Sequence, residues 1–337
     1  MGEFSGKRIL VTGGTGTIGA VLCRRLAEEG ADIVAVSLDS DARAEAVLPS
    51  GVQFLRRDLT DIAACAEVAA DKDMVFHLIA VKGSTQIGSS KAASTFIPFI
   101  RCNTNMMEAA LRAGVRRYLY VSSICVYPNV PVRHEDDMWK GLPDANDRFA
   151  GIAKRAGEAQ GEAYMLEYGW DAVRIVRPSN VFGPFDDFDP RTAQVIPSLI
   201  ARLLSDGPAL TVAGDGSAVR DFIFSKDCVE GMLKAIIDAP PCLPINLGSG
   251  KGYSIRELVT TLVEVVEGMG LRKEIDVVWD HSRLSGDPVR ILDTSRAERV
   301  LGFRAATRLK DGLRETIEWY LANRQLADRR GGELHGT

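Results

Sequence analysis

The sequence predicts an α/β fold, a doubly wound parallel sheet followed by a smaller C-terminal α/β unit, and three observations carry that prediction. Short apolar runs alternate with helical periodicity from residue 8 to residue 177, a glycine-rich turn joins the first strand to the first helix, and the texture changes after Pro178. Strands that alternate with helices pair in parallel, because each helix carries the chain back to the same end of the sheet.

In order along the chain, Arg8–Thr12 (RILVT) reads as a buried strand, and Thr17–Glu29 as a helix with Ile18, Val21, Leu22 and Leu26 on one face. Further strands are expected at Ile33–Leu38, Gln53–Leu55, Met74–Ile79, Tyr118–Ser122 and Ala172–Arg177, with helices at Ile62–Ala69, Phe96–Ala113 and 149–168. Residues 180–191, rich in Gly, Pro, Asp and Phe, read as loop. Beyond them come a helix at Val195–Leu204, a strand pair around Gly214–Phe224, a helix at Val229–Ile237 and a strand at Pro244–Leu247. Helices at Ile255–Glu267 and Leu309–Asn323, with a loop around His281–Val289, complete the chain. The expected organisation is a first domain over 1–178, to which segments near 222–248 return. A second domain lies mainly over 179–330, and 331–337 is a frayed tail.

Bulk composition narrows the function. A chain of 337 residues with 46% hydrophobic and 26% charged residues is that of an ordinary globular enzyme or binding protein. A net charge of −4 without a basic block argues against a nucleic-acid partner. No apolar run reaches the ~18 residues that a membrane span needs, and the N-terminus enters a strand with no room for a signal peptide. Six scattered cysteines without a CxxC pair read as reduced thiols, hence a cytoplasmic protein. The four histidines are far apart, so no metal site is expected, and His77 inside MVFHLI reads as a core residue.

Residues 12–19, TGGTGTIG, space Gly13, Gly16 and Gly19 between a strand and a helix. Glycine allows the tight turn, the close approach of a pyrophosphate to backbone, and close packing of helix on strand. The first helical residues, Thr17 and Ile18, offer N–H groups and a positive dipole end to the phosphates. The fold expected is therefore the Rossmann type, and the cofactor NAD or NADP. The residue that distinguishes the two stands at the end of the second strand. Ser37 holds that place, with Asp39 and Arg43 close behind. Ser37 and Arg43 suit the extra phosphate of NADP, whereas Asp39 repels it, so the choice stays open. Asp58 faces the adenine or caps a helix. Leu59, Ala80 and Asn103 complete the expected cofactor contacts.

The order TGGTGTIG, Ser122-Ser123 with Val126-Tyr127, Lys154 and RPSNVFGP resembles the extended short-chain dehydrogenase/reductase family, over about residues 7–325. Arg220-Asp221-Phe222-Ile223 and Asn246-Leu247-Gly248 agree with it. Members act mostly on nucleotide-activated sugars as epimerases, dehydratases or reductases. Within the family, Ser123–Pro128 (SICVYP), Asn180–Asp189 with Gln194–Pro197, and Ser285–Pro288 running into Ile291-Leu292-Asp293 are similar to the GDP-fucose synthase branch, the GDP-4-keto-6-deoxymannose epimerase-reductases. The resemblance implies Ser123, Cys125 and Lys154 as catalytic residues and Lys154 also as a cofactor ligand. It further implies Ser123, Asn180, Val195, Arg202, Arg220 and Arg283 on a nucleotide-sugar substrate, and a homodimer. A UDP- or dTDP-sugar 4-epimerase or 4,6-dehydratase is the alternative enzyme, and a non-catalytic dinucleotide-binding protein the alternative from another class.

Two departures stand out. The family's proton-carrying Tyr, four residues before the Lys, is Ala150 here, and the adjacent Phe149 has a ring without a hydroxyl. The His expected before Val-Ile-Pro, the branch's acid in epimerisation, is Gln194. Cys125, Tyr127 or a water near Ser123 are the candidates to replace the lost groups. A variant engineered to trap substrate is the other explanation of Ala150.

Overall fold

Alternate side chains of β1 (Arg8–Thr12) enter two different cores: Ile9 and Val11 join one apolar cluster, Leu10 the other. Burial on both faces is what a parallel strand roofed by helices above and below requires. The structure, a computed structural model, describes residues 2–80, 92–189, 192–205, 207, 209–282 and 288–328. In chain order the further strands are β2 (Asp32–Ser37), β3 (Gln53–Arg56), β4 (Met74–His77), β5 (Arg117–Val121), β6 (Val132–Arg133), β7 (Val173–Pro178), β8 (Asn180–Phe182), β9 (Ala209–Ala213), β10 (Val219–Phe224), β11 (Pro244–Leu247), β12 (Gly252–Ser254), β13 (Asp276–Asp280) and β14 (Val289–Leu292).

The main sheet runs β3-β2-β1-β4-β5-β7-β11, and every pairing in it is parallel. The strand order reverses between β1 and β4, and the crevice beyond the C-terminal ends at such a point is where open α/β sheets take ligands. Helices Ile62–Ala69, Ala92–Arg112 and Arg148–Tyr168 cover one face, over Tyr118, Tyr120, Val173 and Ile175. Helices Thr17–Glu28, Ser225–Asp238 and Ser295–Leu301 cover the other, over Ile9, Phe76, Leu119 and Val176. The predicted doubly wound sheet is therefore the observed one.

Helix Arg148–Tyr168 lies unusually close to its neighbours because three of its residues lack a side chain. A Cβ at Gly157 would stand 2.2 Å from the Tyr120 hydroxyl, one at Gly161 2.9 Å from Val173 Cγ1, and one at Gly151 2.3 Å from the Cys125 carbonyl oxygen. That approach brings Lys154, between Gly151 and Gly157, down onto the strand ends.

A second, mixed sheet runs β12-β10-β14-β6, with β8 also on β10, and β9 pairs in parallel with β13. Phe188, Ile196, Leu199, Leu210, Phe222, Leu258, Leu313 and Tyr320 form its core. Two expectations are corrected here. The strands near 214–224 are not partners, since β9 and β10 belong to different sheets. The segment 180–191 is not all loop, since Asn180–Phe182 lies parallel to Phe222–Phe224. Strands of two to six residues paired to distant chain carry no local period that a sequence reading can detect. β11 and helix Ser225–Asp238 join the main sheet, whereas β10 stays in the second one. No described helix is long and apolar enough to cross a membrane.

Candidate active site

The glycine-rich turn is built for close backbone approach. Gly13 has φ +70°, the left-handed region that disfavours a side chain. A Cβ at Gly14 would lie 2.7 Å from that of Ala35, and one at Gly19 would lie 2.2 Å from the Gly13 carbonyl oxygen. Gly16 caps helix Thr17–Glu28 with no side-chain hydrogen bond, and the first turn holds no acidic residue. The N–H groups of the first helical turn, Ile18 and Gly19 among them, have no carbonyl of the helix to bond and point where an anion can meet them. The Thr17 hydroxyl donates to Asp186 Oδ1 at 2.8 Å, which ties the loop after β8 to the helix start.

At the end of β2 the expected cofactor residues meet one another. The Thr15 hydroxyl bonds the Asp39 carboxylate and stands 2.9 Å from Ser37 Oγ, which accepts from Asp39 N at 3.0 Å. Arg43 pairs with Asp39 at 3.5 Å and donates to the carbonyls of Thr15 and Phe185, both at 3.3 Å. Asp58, exposed beyond β3, accepts from Thr60 N at 2.9 Å, while Asp61, not Asp58, caps the next helix. Leu59 packs its side chain into the core, so only its backbone is left for a ligand. Ala80 is exposed just past β4.

Deeper in the crevice, His77 is fully buried between Thr12 Oγ1 (2.9 Å) and Asn103 Oδ1 (3.0 Å). Burial, helped by the Lys154 charge, pushes it down to about 3, so it is a neutral core residue as expected. Asn103 is buried too, and its Nδ2 has no protein partner among the described residues. An orphaned buried donor beside the strand ends, with the cradle a Cβ would fill, fits a dinucleotide. Gly13, Gly16, Thr17, Ile18 and Gly19 would hold its pyrophosphate, and Ser37, Asp39 and Asp58 its adenosine end.

Lys154 lies at the C-terminal ends of β4 and β5, where Nζ donates to the carbonyls of Ile79 (3.0 Å) and Val121 (2.6 Å). Burial lowers it to about 8, against the opposing pull of Cys125, Glu158 and Cys102. Ser123 starts a short 3-10 turn, its Oγ accepting from Cys125 N at 3.3 Å. Burial pushes the Cys125 thiol up to about 11, so it holds its proton at neutral pH. Ala150 sits one helical turn before Lys154, hence on the same face, while Phe149 turns aside and packs its ring 5.5 Å from that of Phe96. Tyr127, a candidate for the missing phenol, is committed elsewhere. Its hydroxyl donates to Asn246 Oδ1 at 2.6 Å and accepts from Arg177 at 2.8 Å, and burial raises its ionisation far above neutral pH.

On the opposite wall, β10 and β14 set Arg220 beside Arg290 in register, so both project from one face. Arg290 reaches Asp147 at 2.6 Å and Asp144 at 3.5 Å, at the start of helix Arg148–Tyr168, which joins this wall to Ser123 and Cys125. Asp221, next to Arg220, is buried and accepts from Ser249 N, Ser249 Oγ and Gly250 N at 2.9, 2.7 and 3.3 Å. Thus in Arg-Asp-Phe the acid holds the loop and the arginine is the half-buried group at the crevice. Asn180 gives its amide to the Asp221 carbonyl at 2.8 Å. Val195 and Arg202 lie at opposite ends of helix Val195–Leu203, about 10 Å apart. Arg202 is exposed and bonded to Ser198 O and Thr211 O, so the structure gives it an anchoring part. Arg283 lies outside the described residues. Gln194 is exposed at the same helix's start.

The sequence reading missed Gly14, Thr15, Asp186 and Arg290. Thr15 and Asp186 find their partners 24 and 169 residues away, which no local pattern reveals. Arg290 stood within a quoted motif, and its place two residues after Pro288 was the available signal. No group of three or more His, Cys, Asp or Glu residues among those described is placed to hold a metal ion.

Known proteins share this fold and align along most of the sequence. The chain is 30% identical to a probable GDP-L-fucose synthase 1 of Oryza sativa subsp. japonica, over 94% of this chain and 93% of that one. It is also 30% identical to a dTDP-4-dehydro-6-deoxy-D-allose reductase of a Streptomyces species, over 94% and 97%. The crystal structure of UDP-glucose 4-epimerase from Thermotoga maritima superposes with a TM-score of 0.82 and 27% identity, covering 94% of this chain and 99% of that one. Residues 9–248 match the model of one family, and the chain belongs to it: the NAD dependent epimerase/dehydratase family.

Proposed function

We propose that this protein is a nicotinamide-dependent nucleotide-sugar epimerase/reductase that transfers hydride at a sugar carbon, with a GDP-linked hexose as the favoured substrate. The observation that carries the reading is the crevice itself. A dinucleotide cradle on β1 leads to Lys154 and Ser123 at the ends of β4 and β5, and the paired Arg220 and Arg290 face them for a diphosphate. The relatives named as GDP-L-fucose synthase and dTDP-sugar reductase support the substrate class. The bound dinucleotide supplies the hydride; the protein's own residues orient the sugar and hold the proton.

Two finer readings rest on single observations. Asp39 holds a carboxylate at the turn after β2, where Arg43 is already paired with it, so a 2′-phosphate meets a neutralised guanidinium. NAD(H) is therefore the preferred cofactor. Gln194 supplies no acid at the helix start, which favours reduction of a 4-keto sugar without epimerisation. The test is a panel of GDP-, dTDP- and UDP-linked 4-keto-6-deoxy sugars with NADH and NADPH in deuterated water. NADH should be used ~10-fold more efficiently, and no solvent deuterium should enter the carbons flanking the ketone. Turnover of none of them sinks the functional reading, and deuterium at those carbons sinks the second refinement.

Arg220→Ala should weaken nucleotide-sugar binding by ~1.5–3 kcal/mol, the range for hydrogen bonds to charged groups, with cofactor affinity unchanged by calorimetry. An equal loss for both ligands would assign Arg220 to the fold instead. We place the protein in the cytoplasm, with a dinucleotide-binding unit over 1–178 rejoined near 222–248 and a substrate unit mainly over 179–330. Helices Ala92–Arg112 and Arg148–Tyr168 pack side by side and leave Ile97, Phe149, Leu166 and Tyr168 exposed, which supports a homodimer through that face. A monomer in sedimentation at micromolar concentration would remove that part of the reading.

A further inference from the structure

Resting on the reading above, we propose that Lys154 itself hands the proton to the sugar oxygen, as the acid of the reaction. The case begins with what stands around the strand ends. Ala150, on the same helix face one turn earlier, offers a methyl group and no proton. The Phe149 ring is turned onto Phe96. The Tyr127 phenol is held between Asn246 and Arg177, and the buried Tyr120 hydroxyl donates to the carbonyl of Lys154 at 3.3 Å. His77 is neutral and bonded at both nitrogens. The Glu158 carboxylate takes Ser122 and two nitrogens of Arg177. Asp144 and Asp147 pair with Arg290.

The Cys125 thiol, pushed up to about 11, and the Ser123 hydroxyl hold their protons more firmly than the Lys154 ammonium. Among the described residues at the strand ends the ammonium is therefore the readiest acid, and its geometry suits the task. It has three hydrogens in a fixed tetrahedral array. Two go to the carbonyls of Ile79 and Val121, which fixes the direction of the third. The rings of Phe99 and Tyr120, 4.7 and 5.0 Å from Nζ, wall it on the core side. Cys125, Glu158, Cys102 and His77 are the titratable groups that act on it from the neighbouring elements. Burial brings the ammonium to about 8, where it is the main form at neutral pH yet gives up its proton far more readily than an exposed lysine.

In the reduction, the ketone carbon accepts hydride from the dinucleotide and the C=O π pair moves to oxygen. That oxygen takes the proton from Nζ, and an alcohol is formed. The hydride that a bound dinucleotide would supply reduces the ketone. The neutral Lys154 amine, buried while the sugar is in place, regains its proton from water that enters the crevice when the alcohol leaves. Since the acid form is the working one, the reduction rate is level below about 8 and falls above it, while sugar oxidation shows the reverse.

Two measurements test this. Side-chain NMR of the protein with labelled lysine, without sugar, should show one amine titrating well below the rest and missing in Lys154→Arg. The pH profile of NADH-driven reduction of the GDP-linked 4-keto sugar should break at the same pH. In Lys154→Arg, a guanidinium that keeps its proton, reduction measured at saturating NADH should fall ~10²–10⁴-fold and the break should vanish, in a protein whose thermal melt shows it folded. A Lys154 that titrates with the exposed lysines overturns the proposal. So does a Lys154→Arg protein that keeps both rate and break. Failure of the functional reading looks different, as a parent protein that reduces no nucleotide sugar while the NMR titration stands.

Discussion

Glu158→Ala should cost about 3–5 kcal/mol of stability, the range for breaking a buried ion pair by removing one partner. Arg177, a residue of β7, is 1% exposed. Its Nε and Nη2 donate to Glu158 at 3.0 and 2.6 Å, and Nη1 donates to the Tyr127 hydroxyl at 2.8 Å and the Glu135 carbonyl at 2.7 Å. Burial alone would disfavour the charge, but Glu158 and Tyr127 outweigh it, so the guanidinium is held firmly ionised. Removing the carboxylate leaves an almost fully buried cation without the counter-charge that pairs with it. Ser122 loses its acceptor at the same time. Denaturant unfolding measures the loss directly, and the isosteric Glu158→Gln should lose less, since it keeps the shape and one acceptor. A loss under ~1 kcal/mol for Glu158→Ala would mean that solvent enters the cluster, contrary to its burial.

The second large effect is on the cofactor. Gly19→Ala should lower dinucleotide affinity ~10²-fold or more, about 2.8 kcal/mol at 1.4 kcal/mol per decade. The added methyl would sit 2.2 Å from the Gly13 carbonyl oxygen and 2.7 Å from Gly14 Cα. Both are backbone atoms of the turn, so relief comes only by opening the cradle, and overpacking of this kind typically costs ~1–3 kcal/mol. Calorimetry with NAD(H), beside a thermal melt of the cofactor-free variant, separates lost binding from lost folding. A folded Gly19→Ala protein with unchanged affinity would remove the turn from the site.

The parts of this molecule that a sequence shows are those whose cause is local. β1, with four buried residues in a row before a glycine turn, and the long amphipathic helices announce themselves by period. Lys154 could be placed because helix Arg148–Tyr168 was legible and the resemblance supplied its role. The ribose end could not be resolved, because Ser37, Asp39 and Arg43 point to opposite cofactors until Thr15 and Phe185 are seen to bind them. Tyr127 looked like a free phenol until Asn246, 119 residues later, was found against it. The short strands of the second sheet were invisible for the same reason, since β6 has two residues and finds its partner in β14.

The main sheet ends in a strand that the chain makes late. β7 closes at Pro178, and β11, which covers its free edge, begins only at Pro244. At a ribosomal pace of ~5–20 residues per second, β7 spends several seconds as an uncovered edge carrying Val173, Ile175 and Val176. Unpaired edges of that kind recruit other chains. A fragment that stops near 178 is therefore expected to aggregate rather than persist as a small cofactor-binding domain. In the cell this nascent chain should depend on chaperones until residue 247 has emerged.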